Sequence, residues 1–169
     1  DNGAELEWKP FLLGGVFNET GVKPALEIDN KFAHLKKDLA DTSRYYGVEF
    51  KFPGHFPLIS VKPMRGAFAA SEKGLLVPNI HHLFRLYWTE GKDLSQDEIL
   101  KAAVEEVGLD PDWFMARIVE QEIKDRLKEE TSRAAARGVF GAPTVFVDDK
   151  MFWGNDRLDY LDKYLKGQL

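Results

Sequence analysis

The chain has 169 residues, 44% hydrophobic and 30% charged, a globular composition that allows one domain with a sizeable core and room for an inserted subdomain. Its net charge of −5 offers no basic stripe to release counterions from phosphate, and no apolar run nears the ~20 residues that span a bilayer, so neither nucleic acid nor membrane is expected as a partner. Cysteine is absent, which removes disulfides, thiolate metal ligands and any thiol nucleophile from these residues and fits a reducing, cytoplasmic setting.

In chain order, Asp1-Asn2-Gly3 is a turn signal, and Leu6, Trp8, Phe11 and Leu12 predict a buried strand from Ala4 to Leu13, ended by Gly14-Gly15. "DNKFAHLKKDLADTSRYYG" predicts a helix with Asp29 as N-cap, Phe32, Leu35 and Leu39 on one face, and Gly47 as C-cap. "VEFKF" reads as a short strand, after which Pro53, Pro57 and Pro63 break the chain. From there to about Gly138 the pattern is helical. Ile80, Leu83, Phe84, Tyr87 and Trp88 form one stripe. Ser95 and Glu98 have capping-box spacing, and Asp110-Pro111 opens a further helix with a break expected near Glu120. "TVFV", Asp148-Asp149 and "KMFW" predict a hairpin, and "NDRLDYLDKYL" a last helix with Leu158, Leu161 and Leu165 inward. Strand–helix–strand, a helical block, then hairpin–helix is an α/β plan with an insertion.

The stretch "GVFGAPTVFVDDKMFWGNDRLDYL" carries the candidate chemistry. A proline cannot donate to a sheet ladder, so Pro143 belongs at the first position or at an edge of its strand. A plain loop-to-strand proline and a cis bond after Ala142 are both open. In the cis case Ala142 turns its main-chain groups toward a ligand, a corner suited to holding a small peptide by strand-style bonds. Asn155 reads either as an N-cap or as part of a site. Asp156 with free N–H groups beside it has the chemistry to bind a zwitterion, carboxylate to ammonium and N–H groups to carboxylate. Trp153 is either core or the wall of such a pocket. His55, in the loop "FPGHFP", is either a surface residue or the lining of a substrate cavity. His34, His55, His81 and His82 lack metal-ligand spacing, so no metal is expected.

The same stretch, with "ELEWKPFLLGGVFNETG" and "FPLISVKPMRGAFAA", resembles the 2-hydroxychromene-2-carboxylate isomerases and kappa-class glutathione transferases, of the DsbA-like branch of the thioredoxin fold. The resemblance covers essentially the whole chain. It implies a thioredoxin-like fold over 1–62 and 138–169 with an all-helical insertion over 63–137. It also implies a glutathione site in which Ala142 beside a cis Pro143 meets the cysteinyl part, Asn155 and Asp156 hold the γ-glutamyl end, and Lys31 meets the glycyl carboxylate. A homodimer and a small-molecule substrate are implied with it. Val22 and Ile59 stand where family members often carry asparagine, so two polar groups of the family pattern are replaced by apolar ones. The family's first strand and helix, with a serine motif facing the glutathione sulfur, has no counterpart here. The expectation is a longer natural protein, or a gap filled by another chain or a swapped segment.

Three functions compete. The first is a glutathione-dependent isomerase or transferase acting on an aromatic or electrophilic small molecule. The second is a DsbA-type thiol–disulfide oxidoreductase, opposed by the absence of cysteine. The third is a non-catalytic domain that binds glutathione or a partner.

Overall fold

The computed structural model describes residues 3–169, so the turn signal at Asp1-Asn2 lies outside the described residues. Regular structure there comprises helices α1 (Leu13–Thr20), α2 (Asp29–Tyr46), α3 (Val61–Glu72), α4 (Leu76–Trp88), α5 (Asp97–Glu106), α6 (Pro111–Arg117), α7 (Gln121–Ala136) and α8 (Leu158–Leu165), with strands β1 (Thr144–Val147) and β2 (Lys150–Trp153). The strands form one antiparallel hairpin in the register Thr144↔Trp153 to Val147↔Lys150.

Local sequence explains several of the helix ends. The Asp110 carboxylate accepts from the amides of Asp112 and Trp113 at 2.9 and 3.0 Å, and Pro111 fills the first helical position. The helical stretch then breaks where expected: α6 ends at Arg117, Glu120 is extended, and α7 begins at Gln121. Gly47 ends α2 in the left-handed region at φ 67°, letting the Val48 amide donate to the Ser43 carbonyl at 2.8 Å. The expected box of Ser95 with Glu98 does not form. Asp93 takes over, its Oδ1 accepting from the Ser95 amide at 3.1 Å and hydroxyl at 2.6 Å, and α5 begins at Asp97. Ile28, not Asp29, occupies the N-cap position of α2.

The two expected early strands are corrected. Residues 4–12 take no regular structure, and Gly14 and Gly15 lie inside α1 rather than ending a strand. β-compatible residues need a neighbouring strand, and no described strand flanks this segment. It is tied instead to α7: the Leu12 amide donates to the Thr131 hydroxyl at 3.0 Å, and a Cβ on Gly15 would lie 2.6 Å from Thr131 Cγ2. "VEFKF" is also without strand structure. Side-chain packing holds it, with Phe50, Phe52 and Phe56 gathered on Trp88 at centroid distances of 5.7, 6.4 and 6.1 Å. The Lys51 amide donates to the Trp88 carbonyl.

The main core lies among α3, α4, α5 and α6, around the fully buried Phe114, Leu100, Val104 and Ile118. A second cluster, Phe68, Ile123 and Leu127, joins α3 to α7. Gly66 sets the α3–α6 approach, because a Cβ there would lie 2.3 Å from the Phe114 ring. On the outer side, Arg117 donates to Glu72 at 2.7 and 2.9 Å and also binds Glu122 and Glu120. That bonding, with Arg126 nearby, holds the Glu72 carboxyl below the ordinary glutamate range.

Gly66→Ala overpacks the core and destabilises the protein by about 1–3 kcal/mol, read as a lower urea midpoint; an unchanged midpoint contradicts this packing. Because the folded Glu72 carboxyl titrates below its ordinary 4.5, its contribution is complete above about pH 4.5 and is lost as pH falls through the depressed folded value. Thermal midpoints therefore fall in acid, and Glu72→Gln flattens that decline while lowering the midpoint at neutral pH.

Candidate functional site

The hairpin's open end organises the candidate residues. The Gly154 amide donates to the Pro143 carbonyl at 3.0 Å, one step beyond the Thr144↔Trp153 pair. This bond brings Ala142 and Pro143 close to Asn155 and Asp156 although a dozen residues separate them in sequence. The Ala142–Pro143 bond is cis, and so is Phe56–Pro57 in the aromatic loop. Ala142 is exposed, and neither its amide nor its carbonyl has a main-chain partner among the described residues. The Thr144 hydroxyl donates to the Gly141 carbonyl at 2.7 Å and braces the entry to the corner.

Trp153 is not part of the core. It is 47% exposed, packs on the Phe140 ring at 4.8 Å, and covers Gly141 so closely that a Cβ there would lie 2.2 Å from its Nε1. Only glycine at 141 admits the indole at that distance.

Asn155 is not an N-cap. It opens a short 3-10 helix, Asn155–Arg157, whose preceding residue Gly154 has φ 101° and whose start has no side-chain cap bond. The Asp156 carboxylate folds back over Gly154, where a Cβ would meet Oδ1 at 2.4 Å, and Oδ2 lies 3.1 Å from Arg157. Both partners of that pair are exposed, so the pair is worth little in stability and leaves the carboxylate free to exchange partners. Leu158, expected inward, is 51% exposed; Leu161 and Leu165 are half-buried and seat α8.

Beside this turn lies a cleft of about 260 Å³ lined by Asp41, Thr42, Tyr45, Tyr46, Asn155 and Asp156. The α2 contribution is not evident from the sequence. Asp41 with Tyr45, and Thr42 with Tyr46, stand four residues apart and so share a helix face, a pattern that by itself reads as a solvated surface. The two tyrosine rings meet edge to face at 4.9 Å, and Asp41 is paired with Arg44. At Asp41 the cleft meets a wider hollow along α2, lined also by Lys36, Lys37 and Arg44.

The structure does not bring Lys31 or His55 to this place. Lys31 is exposed in the first turn of α2, about 15 Å along the helix from Asp41 at 1.5 Å per residue. His55 packs its ring on Tyr87 at 5.4 Å, with Nε2 3.3 Å from the Lys92 carbonyl, and so braces the aromatic loop. No group of three histidine or acidic residues arranged to hold a metal occurs among the described residues, and no described helix is long and apolar enough to cross a membrane.

Comparison with known proteins identifies the family. The family model described as a DSBA-like thioredoxin domain matches residues 1–166. The 2-hydroxychromene-2-carboxylate isomerase of Sphingobium xenophagum is 32% identical over 139 residues, covering 82% of this chain and 70% of that protein. The isomerase of the same name from Pseudomonas putida is 30% identical over 132 residues, covering 78% and 64%. Glutathione S-transferase kappa 1 of Homo sapiens is 26% identical over 173 residues, covering 92% and 75%. The chain thus spans between 64% and 75% of the length of these relatives. The solved structure of a 2-hydroxychromene-2-carboxylate isomerase superposes with a TM-score of 0.86 at 26% identity, over 95% of this chain and 79% of that one. The expected α/β class, a thioredoxin-like fold rich in helix, stands on these matches, with the hairpin as the sheet among the described residues. The relatives are enzymes, isomerases and transferases, and this chain belongs with them to the DSBA-like thioredoxin domain family.

Proposed function

We propose that this chain serves glutathione chemistry, as a glutathione-dependent isomerase or transferase acting on an aromatic or electrophilic small molecule. One observation carries the reading: the Gly154–Pro143 bond at 3.0 Å sets the unpartnered main chain of Ala142 beside the exposed carboxylate of Asp156. A tripeptide with a zwitterionic end has matching groups. The Ala142 amide and carbonyl hold its middle residue as an added strand would, while Asp156 takes the ammonium. The Asn155 side chain and the amides of Asn155 and Asp156 meet the adjoining carboxylate, and Trp153 shields the corner from water. Tyr45 and Tyr46 close the far side of the turn, where an ammonium near an aromatic face gains further attraction.

Bound glutathione supplies the thiol that these residues do not, since the sequence contains no cysteine. The chain's part is to fix the tripeptide's orientation and so the direction of its sulfur. Lys31 stands apart from the other groups, so the glycyl carboxylate is the end least provided for by the described residues. The names of the isomerase and transferase relatives support the reading, and the missing cysteine disfavours a thiol–disulfide oxidoreductase.

Calorimetric titration of the full chain with glutathione tests the site. Binding is expected, and Asp156→Asn weakens it about tenfold or more through loss of a charge-assisted bond. Gly141→Ala, which displaces the Trp153 indole, weakens binding and moves the Trp153 indole N–H resonance while leaving those of the other three tryptophans in place. No binding in the wild type, or full affinity in Asp156→Asn, overturns the reading. Turnover of a 2-hydroxychromene-2-carboxylate or of chlorodinitrobenzene with glutathione then separates an enzyme from a domain that only binds.

A further inference from the structure

Asn155–Arg157 is held between two elements, and a single side chain spans them. On β2, Lys150 and Phe152 are two residues apart and share a face. On α8, Tyr160 and Tyr164 are four apart and share a face. The two faces meet: the Phe152 ring lies 5.7 Å from Tyr160 and 5.4 Å from Tyr164. The Lys150 ammonium sits among all three rings, 4.0 Å from the centroid of Tyr164, 5.3 Å from Tyr160 and 5.4 Å from Phe152. Asp148 and Asp149 precede it in the hairpin turn, and Asp159 and Asp162 lie on α8, yet Lys150 forms no ion pair among the described residues. The aromatic faces are therefore its principal partners.

We propose that Lys150 is a positioning residue: its charge, exposed on one side and set against three rings on the other, latches α8 to the hairpin and helps to set the 155–157 turn. Among the described residues, none of the eight in α8 is fully buried. The connection from β2 to the turn is the single residue Gly154, at φ 101°. The Gly154 amide ties the start of the turn to Pro143 and its carbonyl accepts from the Arg157 amide at 3.3 Å, so the far end of the turn, where it runs into α8, takes its direction from the seating of that helix. The latch must carry a positive charge, because the ring faces attract a cation and not the alkyl stem alone. Arginine satisfies that requirement, whereas methionine fills similar volume without charge. The bearing on ligand binding rests on the glutathione reading; the latch itself does not.

Hydrogen exchange across 154–165 in the 169-residue chain, compared for wild type, Lys150→Met and Lys150→Arg, tests this. Lys150→Met speeds exchange over that segment about three- to fivefold, Lys150→Arg stays close to wild type, and α3 to α7 are unchanged in all three. Equal protection in Lys150→Met and wild type overturns the latch. Exchange in Lys150→Arg as fast as in Lys150→Met overturns the requirement for charge. Glutathione affinity, measured in parallel, falls in Lys150→Met and is restored in Lys150→Arg if the turn is the binding element. A wild type that ignores glutathione refutes the glutathione reading, and the exchange pattern still decides the latch.

Discussion

The hydrogen bond from the Gly154 amide to the Pro143 carbonyl closes the open end of the hairpin, and the candidate site depends on it. Proline has no N–H to offer the ladder, so this corner can only accept. Its carbonyl does so, and Ala142 just before it is left exposed. The other end of the hairpin is fixed to the helical block by Arg137, whose guanidinium stacks 3.7 Å from the Phe146 centroid and donates to the Asp148 carbonyl at 2.9 Å. The hairpin is thus a short arm, anchored next to α7 at its turn and presenting Ala142, Trp153 and the 155–157 turn at its tip.

Packing divides the molecule into unequal parts. Helices α3 to α7 bury Phe114, Leu100, Ile118 and Ile123 completely and carry most of the core. The hairpin buries Phe152, whereas α2 and α8 bury no residue fully. Elements with little buried apolar surface open locally at low cost, and ligand-binding segments are drawn from them. Aromatic contacts do the joining here. Phe32, Phe52, Phe56 and Trp88 tie α2 to α4, and the rings around Lys150 tie α8 to β2.

Elements whose ends depend on local chemistry are legible in the sequence. Asp110-Pro111, Gly47 and the Asp148-Asp149 turn each specify a cap or a reversal within a few residues, and the structure has them where the pattern puts them. The segments at 4–13 and 48–52 depart from expectation for one shared reason. Strand character is realised only against a neighbouring strand, which a run of β-compatible residues does not itself contain. The site is legible in part. Ala142, Pro143, Asn155 and Asp156 stand out through turn and charge signals close together in the chain. The face made by Asp41, Thr42, Tyr45 and Tyr46 does not, because its relation to Asn155 is set by where α2 lies, not by anything within α2. Lys31 and His55 show the converse: each has suitable chemistry, and the fold places each elsewhere.

The central claim is that the hairpin tip and the adjoining turn receive glutathione. Amide chemical-shift mapping of the full chain during a glutathione titration tests it most directly. The largest changes are expected on Ala142, Gly154, Asn155 and Asp156, with smaller ones at Tyr45 and Tyr46. Changes confined to the Lys36–Arg44 face of α2 or to the aromatic loop around Phe52, with the hairpin tip unmoved, would contradict it.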